Sequence, residues 1–211
     1  MSGEGAAETW ERRYGERERL WSGNPNPSLV ALVERLPLGR ALDLGCGEGA
    51  DCVWLAEQGW EVTGVDISAT AVERGRTLAA QHSVRSANIQ WVVADLATWR
   101  PSGCYDLVSA CYLHAREGLP RHAIVRRAAS AVTPGGHLLV VGHASVPPWA
   151  RAHEGHDPHD LLVAPEEEVA GIALDPSRWS VLVADVRPRE SVTPDGERVT
   201  IDDSVVFARR R

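Results

Sequence analysis

The chain has 211 residues, of which 44% are hydrophobic and 24% charged, enough apolar material for one large core and too much for a disordered chain. Its 22 basic residues are all arginine and stand against 29 acids, a net charge of −7. That balance disfavours broad nucleic-acid or anionic-membrane binding, and the absence of lysine excludes a Schiff base, a pyridoxal phosphate linkage and a Walker-type phosphate loop.

No run reaches the roughly 18–20 apolar residues needed to cross a bilayer. The N-terminal segment is polar and acidic, without the basic start and apolar centre of a secretory leader, so a cytoplasmic location is expected. Cys46, Cys52, Cys104 and Cys111 form no CxxC pair and are expected as free thiols.

Residues 1–27 are rich in Arg and Glu, carry Trp10, Tyr14 and Trp21, and end in the turn-rich run SGNPNP. The charged stretch 11–19 reads as a solvated helix face. Helical spacing predicts a helix over 29–36 with Ser28 as its cap. Short apolar runs then alternate with helical patterns: strands over 40–44, 60–66, 88–95 and 105–110, helices over 49–59, 68–82 and 120–132. The turn TPGG (133–136) leads into a strand over 137–143. After an irregular stretch rich in Pro and His (144–163), a short helix is predicted over 165–173, and strands over 178–188 and 198–210 flank the turn TPDG (193–196). Arg209, Arg210 and Arg211 are expected as an exposed, unstructured tail. Repeated βα units with continuous apolar strands imply an α/β fold, a mostly parallel sheet with helices on both faces. The last two strands are joined by a turn, so one of them runs antiparallel.

The strongest motif is Asp43-Leu44-Gly45-Cys46-Gly47-Glu48-Gly49, at the turn from the first strand into a helix. Glycines there let the backbone approach a ligand, and the helix N-terminus offers free N–H groups to an anionic end such as a carboxylate. Such turns also occur for tight packing alone. Asp43 sharpens the signal, because it stands at the carboxyl end of a strand, where open α/β sheets bind ligands. Asp66 ends the second strand, 21 residues after Gly45, where an acid can accept both ribose hydroxyls. Asp95 ends the third, where a carboxylate can accept from an adenine amine. One strand-end Asp is as readily a helix cap; three on one rim are harder to assign to chance.

This ordered set resembles the class I S-adenosylmethionine (SAM)-dependent methyltransferases over about residues 28–210, on ALDLGCGEGA (41–50), VTGVDIS (62–68), VVADL (92–96), YDLVSA (105–110) and TPGGHLLVV (133–141). Trp10, Tyr14, Trp21 and Pro25-Asn26 narrow the resemblance to the tellurite-resistance and thiopurine methyltransferase-like group. It implies a Rossmann-like, seven-stranded sheet with the final strand inserted antiparallel, in a methyltransferase domain over 28–211 preceded by a lid segment over 1–27. Residue by residue, it implies that Asp43, Gly45, Cys46 and Gly47 line the methionine end of SAM. Asp66 would bind the ribose, Ile67 would pack on the adenine, and Asp95 and Leu96 would hold its amine and ring face. Ala110 and Cys111 would lie near the sulfonium, and Trp21 would cover the site.

The competing reading is a nicotinamide or flavin enzyme, since Gly45-x-Gly47-x-x-Ala50 fits a permissive dinucleotide pattern. Against it, Asp43 would set a negative charge beside a pyrophosphate, and little chain is left for a second domain. A SAM-binding protein without turnover is a further alternative. His114 and His143, after strands four and five, are candidate bases for an O- or N-methyltransferase; each is as readily a packing histidine. Cys111 lacks the Pro-Cys pair of cytosine-C5 nucleophiles. His153, His156 and His159 recur at three-residue spacing, but Gly155 and Pro158 break any aligning helix, so a loop is expected and no metal centre. The expected activity is methyl transfer from SAM, yielding S-adenosylhomocysteine (SAH), to a small molecule, with a thiol or other soft chalcogen favoured. No nucleic-acid or membrane partner is expected, and the chain is expected as a monomer or homodimer.

Overall fold

The computed structural model describes residues 5–113, 119–146, 162–193 and 195–211. Thirteen main elements alternate along the chain: α1 (Ala6–Gly15), α2 (Pro27–Val33), β1 (Arg40–Leu44), α3 (Ala50–Gln58), β2 (Glu61–Asp66), α4 (Ala69–Gln81), β3 (Ile89–Val93), β4 (Tyr105–Cys111), α5 (Arg121–Ala129), β5 (Val132–His143), α6 (Pro165–Ile172), β6 (Trp179–Val192) and β7 (Arg198–Arg210). The strands form one seven-stranded sheet in the order β3-β2-β1-β4-β5-β7-β6. The pairs from β3 to β5 are parallel, and β7 lies antiparallel to both β5 and β6. Because β7 runs backwards, its N-terminal residues stand at the rim where the parallel strands end.

Side-chain alternation divides the apolar residues between two cores. Leu42, Val108, Ala110, Leu138, Val140, Val206 and Ala208 face one side and pack with α5 and α6. Ala41, Leu107, Leu139, Val141, Val205 and Phe207 face the other and pack with α2, α3 and α4. By the same parity Asp43, Ser109, Cys111, His143 and Asp203 belong to the α2/α3 side, at its carboxyl-end rim.

Local signals explain most boundaries. Ser68 caps α4 by accepting from the Ala71 N–H at 3.1 Å, and Gly59 ends α3 with a left-handed φ of 105°. The cap of α2 differs from expectation. Asn26, not Ser28, accepts from the Ser28 and Leu29 N–H groups at 2.9 and 3.3 Å. Pro27 explains this, since proline suits the first helical position and leaves the residue before it as the cap. Gly49 precedes α3 at φ 83°, and a Cβ there would press on the Trp91 ring and lie 3.0 Å from Gly75 Cα. This glycine serves the packing of α3, α4 and β3 rather than ligand approach.

Two expectations are corrected. The run TPGG is part of β5, which starts at Val132 beside Tyr105 and takes up its regular pairing with β4 only after an irregularity between Tyr105 and Leu107. The arginine tail is ordered: Arg209 and Arg210 pair with Ser180 and Trp179, and the Arg211 N–H donates to the Arg178 carbonyl at 2.8 Å. The β6–β7 ladder continues to Val192 and Arg198, whereas β5 stops at His143 opposite Asp203, so the hairpin overhangs the rim. Among the described residues, no helix is long and apolar enough to cross a membrane.

Candidate functional site

The rim of β1, β2, β4 and β5 carries the glycine turn. Both Gly45 and Cys46 donate their N–H groups to the Val65 carbonyl, at 2.8 and 3.0 Å, which ties the turn to β2. The Cys46 side chain turns inward, and its thiol meets that of Cys52 over Gly64, so only the backbone of Cys46 borders the turn. Leu113, just past β4, lies over Gly45.

Buried carboxylates crowd this rim. Asp43 is 3% exposed and accepts from Ser109 Oγ at 2.8 Å, its register partner on β4. Burial and the neighbouring Asp51 charge push its carboxyl up to about 7. Burial also raises Asp51, which accepts from the Asn26 N–H at 2.6 Å and contacts the Cys111 thiol. Cys111 is itself held protonated, by burial and then by Asp51. Asp66 is raised by burial, although its two oxygens accept from the Gly47 and Ser68 N–H groups, each at 2.9 Å. Burial thus holds all three of these carboxyls above the ordinary range.

The N-terminal segment covers the turn through Tyr14 and Trp21, which the sequence brought forward, and through Glu11, Glu48 and Arg74, which it did not. Glu48, buried inside the glycine motif, accepts from the Leu20 and Trp21 N–H groups at 3.1 and 3.0 Å and from Arg74 Nη1 at 2.8 Å. Arg74 also donates to the Tyr14 and Arg17 carbonyls at 2.7 and 2.6 Å. From α1, Glu11 accepts from Ser68 Oγ at 2.6 Å and from Thr70. Trp21 Nε1 donates to the Tyr14 hydroxyl at 3.0 Å, and this pair sits against Gly47, where a Cβ would lie 3.2 Å from the hydroxyl and 3.3 Å from Nε1. Gly47, at φ 52°, therefore meets both demands that favour glycine, a left-handed backbone and a close neighbour.

Asp95 stays apart from this cluster. It is exposed and accepts from the Ala97 N–H at 2.8 Å, the turn-capping use of a strand-end Asp. Leu96 and Ala110 are buried, and Ile67 is half-buried. His114, His153, His156 and His159 lie outside the described residues. Among those described, no group of three or more His, Cys, Asp or Glu is placed to hold a metal ion.

A second polar group lies further along the rim. Asp203 on β7 is fully buried and accepts at Oδ2 from the Tyr112 hydroxyl and from Arg189 Nε, each at 2.8 Å. His143, the register partner of Asp203, places Nδ1 3.7 Å from Oδ1 and stacks on the Tyr112 ring at 4.5 Å between centroids. Burial opposes the Asp203 charge, yet the contacts of His143, Arg189 and Tyr112 hold its carboxyl below the ordinary range. Tyr112 has a left-handed φ of 55°, uncommon for an aromatic residue and a mark of functional rims. The sequence brought His143 forward but not Asp203, Tyr112 or Arg189.

The Methyltransferase domain family matches residues 41–136. The chain is 33% identical over 145 residues to a probable thiol methyltransferase 2 of Arabidopsis thaliana, covering 67% of this chain and 64% of that one. It is 32% identical over 164 residues to thiocyanate methyltransferase 1 of the same plant, covering 76% of this chain and 70% of the relative. The chain thus spans about two thirds of the length of these relatives. The N-methyltransferase NodS of Bradyrhizobium japonicum, solved with SAH, shares the fold, with a TM-score of 0.68 at 16% identity over 98% of this chain and 99% of that one. The strand order, the antiparallel β7 and these matches agree, and they displace the dinucleotide reading of the glycine turn. The chain belongs to the class I SAM-dependent methyltransferases, in their thiol methyltransferase-like group.

Proposed function

We propose that the protein transfers the methyl group of SAM to a small-molecule thiol or other soft chalcogen nucleophile. The observation that carries the acceptor class is the similarity, at 32–33% identity, to plant proteins named thiol and thiocyanate methyltransferases. Chemistry supports it. A thiol with a pKa near 8.5 supplies a few per cent thiolate at neutral pH, whereas an aliphatic hydroxyl supplies almost none.

The residues present fit SAM. Asp43 and Asp66 are buried acids and Asp51 a half-buried one, each with a charge unfavourable alone, and a ligand bearing sulfonium and ammonium cations relieves that. When bound, SAM supplies an electrophilic methyl already activated by the sulfonium. The chain's task is to hold an acceptor in line and exclude water. Asp43, Gly45, Gly47 and the backbone of Cys46 line the methionine end, and Asp66 takes the ribose. Ile67, Leu96 and Asp95 hold the adenine, and Ala110 and Cys111 border the reacting centre. Segment 1–27 serves as the lid, and Tyr14 with Trp21 gives it an aromatic inner face suited to an apolar or aromatic acceptor.

Calorimetry with SAM, SAH, NAD and FAD, followed by SAH release with a panel of thiols, tests the reading. Micromolar-range binding of SAM and SAH, no binding of NAD or FAD, and thiol-dependent SAH release are expected. Tight SAM binding without turnover of any acceptor would mark a binding protein instead.

A further inference from the structure

We infer that Asp203 is a positioning residue for His143, and that the pair takes the proton of a thiol acceptor during methyl transfer. This rests on the proposed function and adds a proton acceptor to it. The sheet itself builds the pair: β5 and β7 are antiparallel and in register, with His143 opposite Asp203. Both face the α2/α3 side and share that rim with Asp43, Ser109 and Cys111. Asp203 is fully buried, whereas the His143 side chain keeps 20% exposure, so the acid is hidden and the imidazole reachable.

The surroundings of Asp203 suit an orienting acid. Its Oδ2 is occupied by the Tyr112 hydroxyl and Arg189 Nε, which leaves Oδ1 as the oxygen facing the imidazole. The 3.7 Å gap to Nδ1 is longer than a hydrogen bond, and such contacts tighten when a substrate fills a site. The Tyr112 ring beneath His143 fixes its plane. Held this way, Nδ1 carries its proton toward Asp203 and Nε2 is the basic nitrogen, an arrangement that activates nucleophiles on unrelated folds.

The step balances. The thiol S–H bond breaks and its proton passes to the imidazole. The sulfur electron pair forms the new S–CH3 bond, and the pair of the broken C–S bond stays with the departing SAH. The imidazolium returns its proton to water. An acceptor with no proton to lose needs none of this, and that difference supplies the test.

SAH formation is measured with potassium thiocyanate, an anion, and with benzyl mercaptan, a thiol largely protonated at pH 7. The two are compared in wild type, His143→Gln and Asp203→Asn. The thiol-to-thiocyanate ratio of kcat/KM is expected to fall at least about tenfold in both variants, with exogenous imidazole restoring thiol turnover in His143→Ala. The ratio is taken within one sample, so partial misfolding of Asp203→Asn cancels, and His143→Gln tests the pair without altering the buried acid. A ratio within about twofold of wild type in His143→Gln overturns the inference. If the wild type methylates phenols but neither sulfur acceptor, the thiol reading fails. The pair is then judged by the same ratio between phenol and pentafluorophenol, which is ionised at pH 7. No turnover of either acceptor pair overturns both proposals.

Discussion

Removing the Glu48 carboxylate tests whether the N-terminal segment is a lid held from beneath. In the folded protein this buried group accepts from the Leu20 and Trp21 N–H groups and from Arg74, whose guanidinium also holds two carbonyls of the segment. Charge-assisted bonds are worth about 1.5–3 kcal/mol each, and losing one partner of a buried ion pair costs about 3–5. The bonds overlap and Arg74 retains some solvent contact, so Glu48→Ala is expected to cost about 2–4 kcal/mol, mostly as local opening of residues 15–22. At 1.4 kcal/mol per factor of ten, the Leu20 and Trp21 amides should exchange about 30-fold to several hundred-fold faster. SAM affinity should also fall. Glu57→Ala, which removes only an exposed contact to His82, serves as the control and should change neither. Unchanged amide protection in Glu48→Ala would refute the lid.

Asp43 is expected to link cofactor binding to pH. Its carboxyl stands near 7 in the free protein and should drop when cations of SAM adjoin it, so calorimetry should show proton release on binding and affinity that rises from pH 6 to 8. With a folded value above the unfolded one, Asp43 stabilises the free protein at low pH, and that contribution is lost as pH rises through about 4 to 7; a wild-type Tm that rises over that range relative to Asp43→Asn would contradict the assignment. Asp66→Ala should weaken SAM by about 2–4 kcal/mol and also lower Tm, because Asp66 holds the Gly47 and Ser68 N–H groups; SAM affinity within about twofold of wild type would count against it. Gly49→Ala combines a positive φ with a press on Trp91, and should lower stability by about 2–4 kcal/mol in urea titration.

The strands β1 to β4 were legible because each is a short apolar run bounded by turn signals, and β2, α3 and α4 lie within a residue or two of their expected bounds. The antiparallel end of the sheet was legible in the turn that joins β6 and β7. Propensity failed where tertiary contacts decide. Gly135 and Gly136 read as a turn but are carried into β5, and the terminal arginines read as a tail but are held by pairing with β6. At the site, Asp43 and Asp66 were visible because strand ends place them by local rules alone. Asp51 and Asp203 were not, since their partners lie 25 and 91 residues away and no local pattern announces them. Glu48 could have been singled out as the acid inside the glycine motif itself.

Methyl transfer from SAM to sulfur is best measured by a one-pot competition. Equal concentrations of 4-methylthiophenol, 4-methylphenol and 4-methylaniline are incubated with SAM and the wild-type protein, and the methylated products and SAH are quantified by mass spectrometry. The aryl methyl sulfide is expected to dominate and to match SAH mole for mole. Anisole or N-methylaniline products without the sulfide would rule out sulfur as the preferred acceptor.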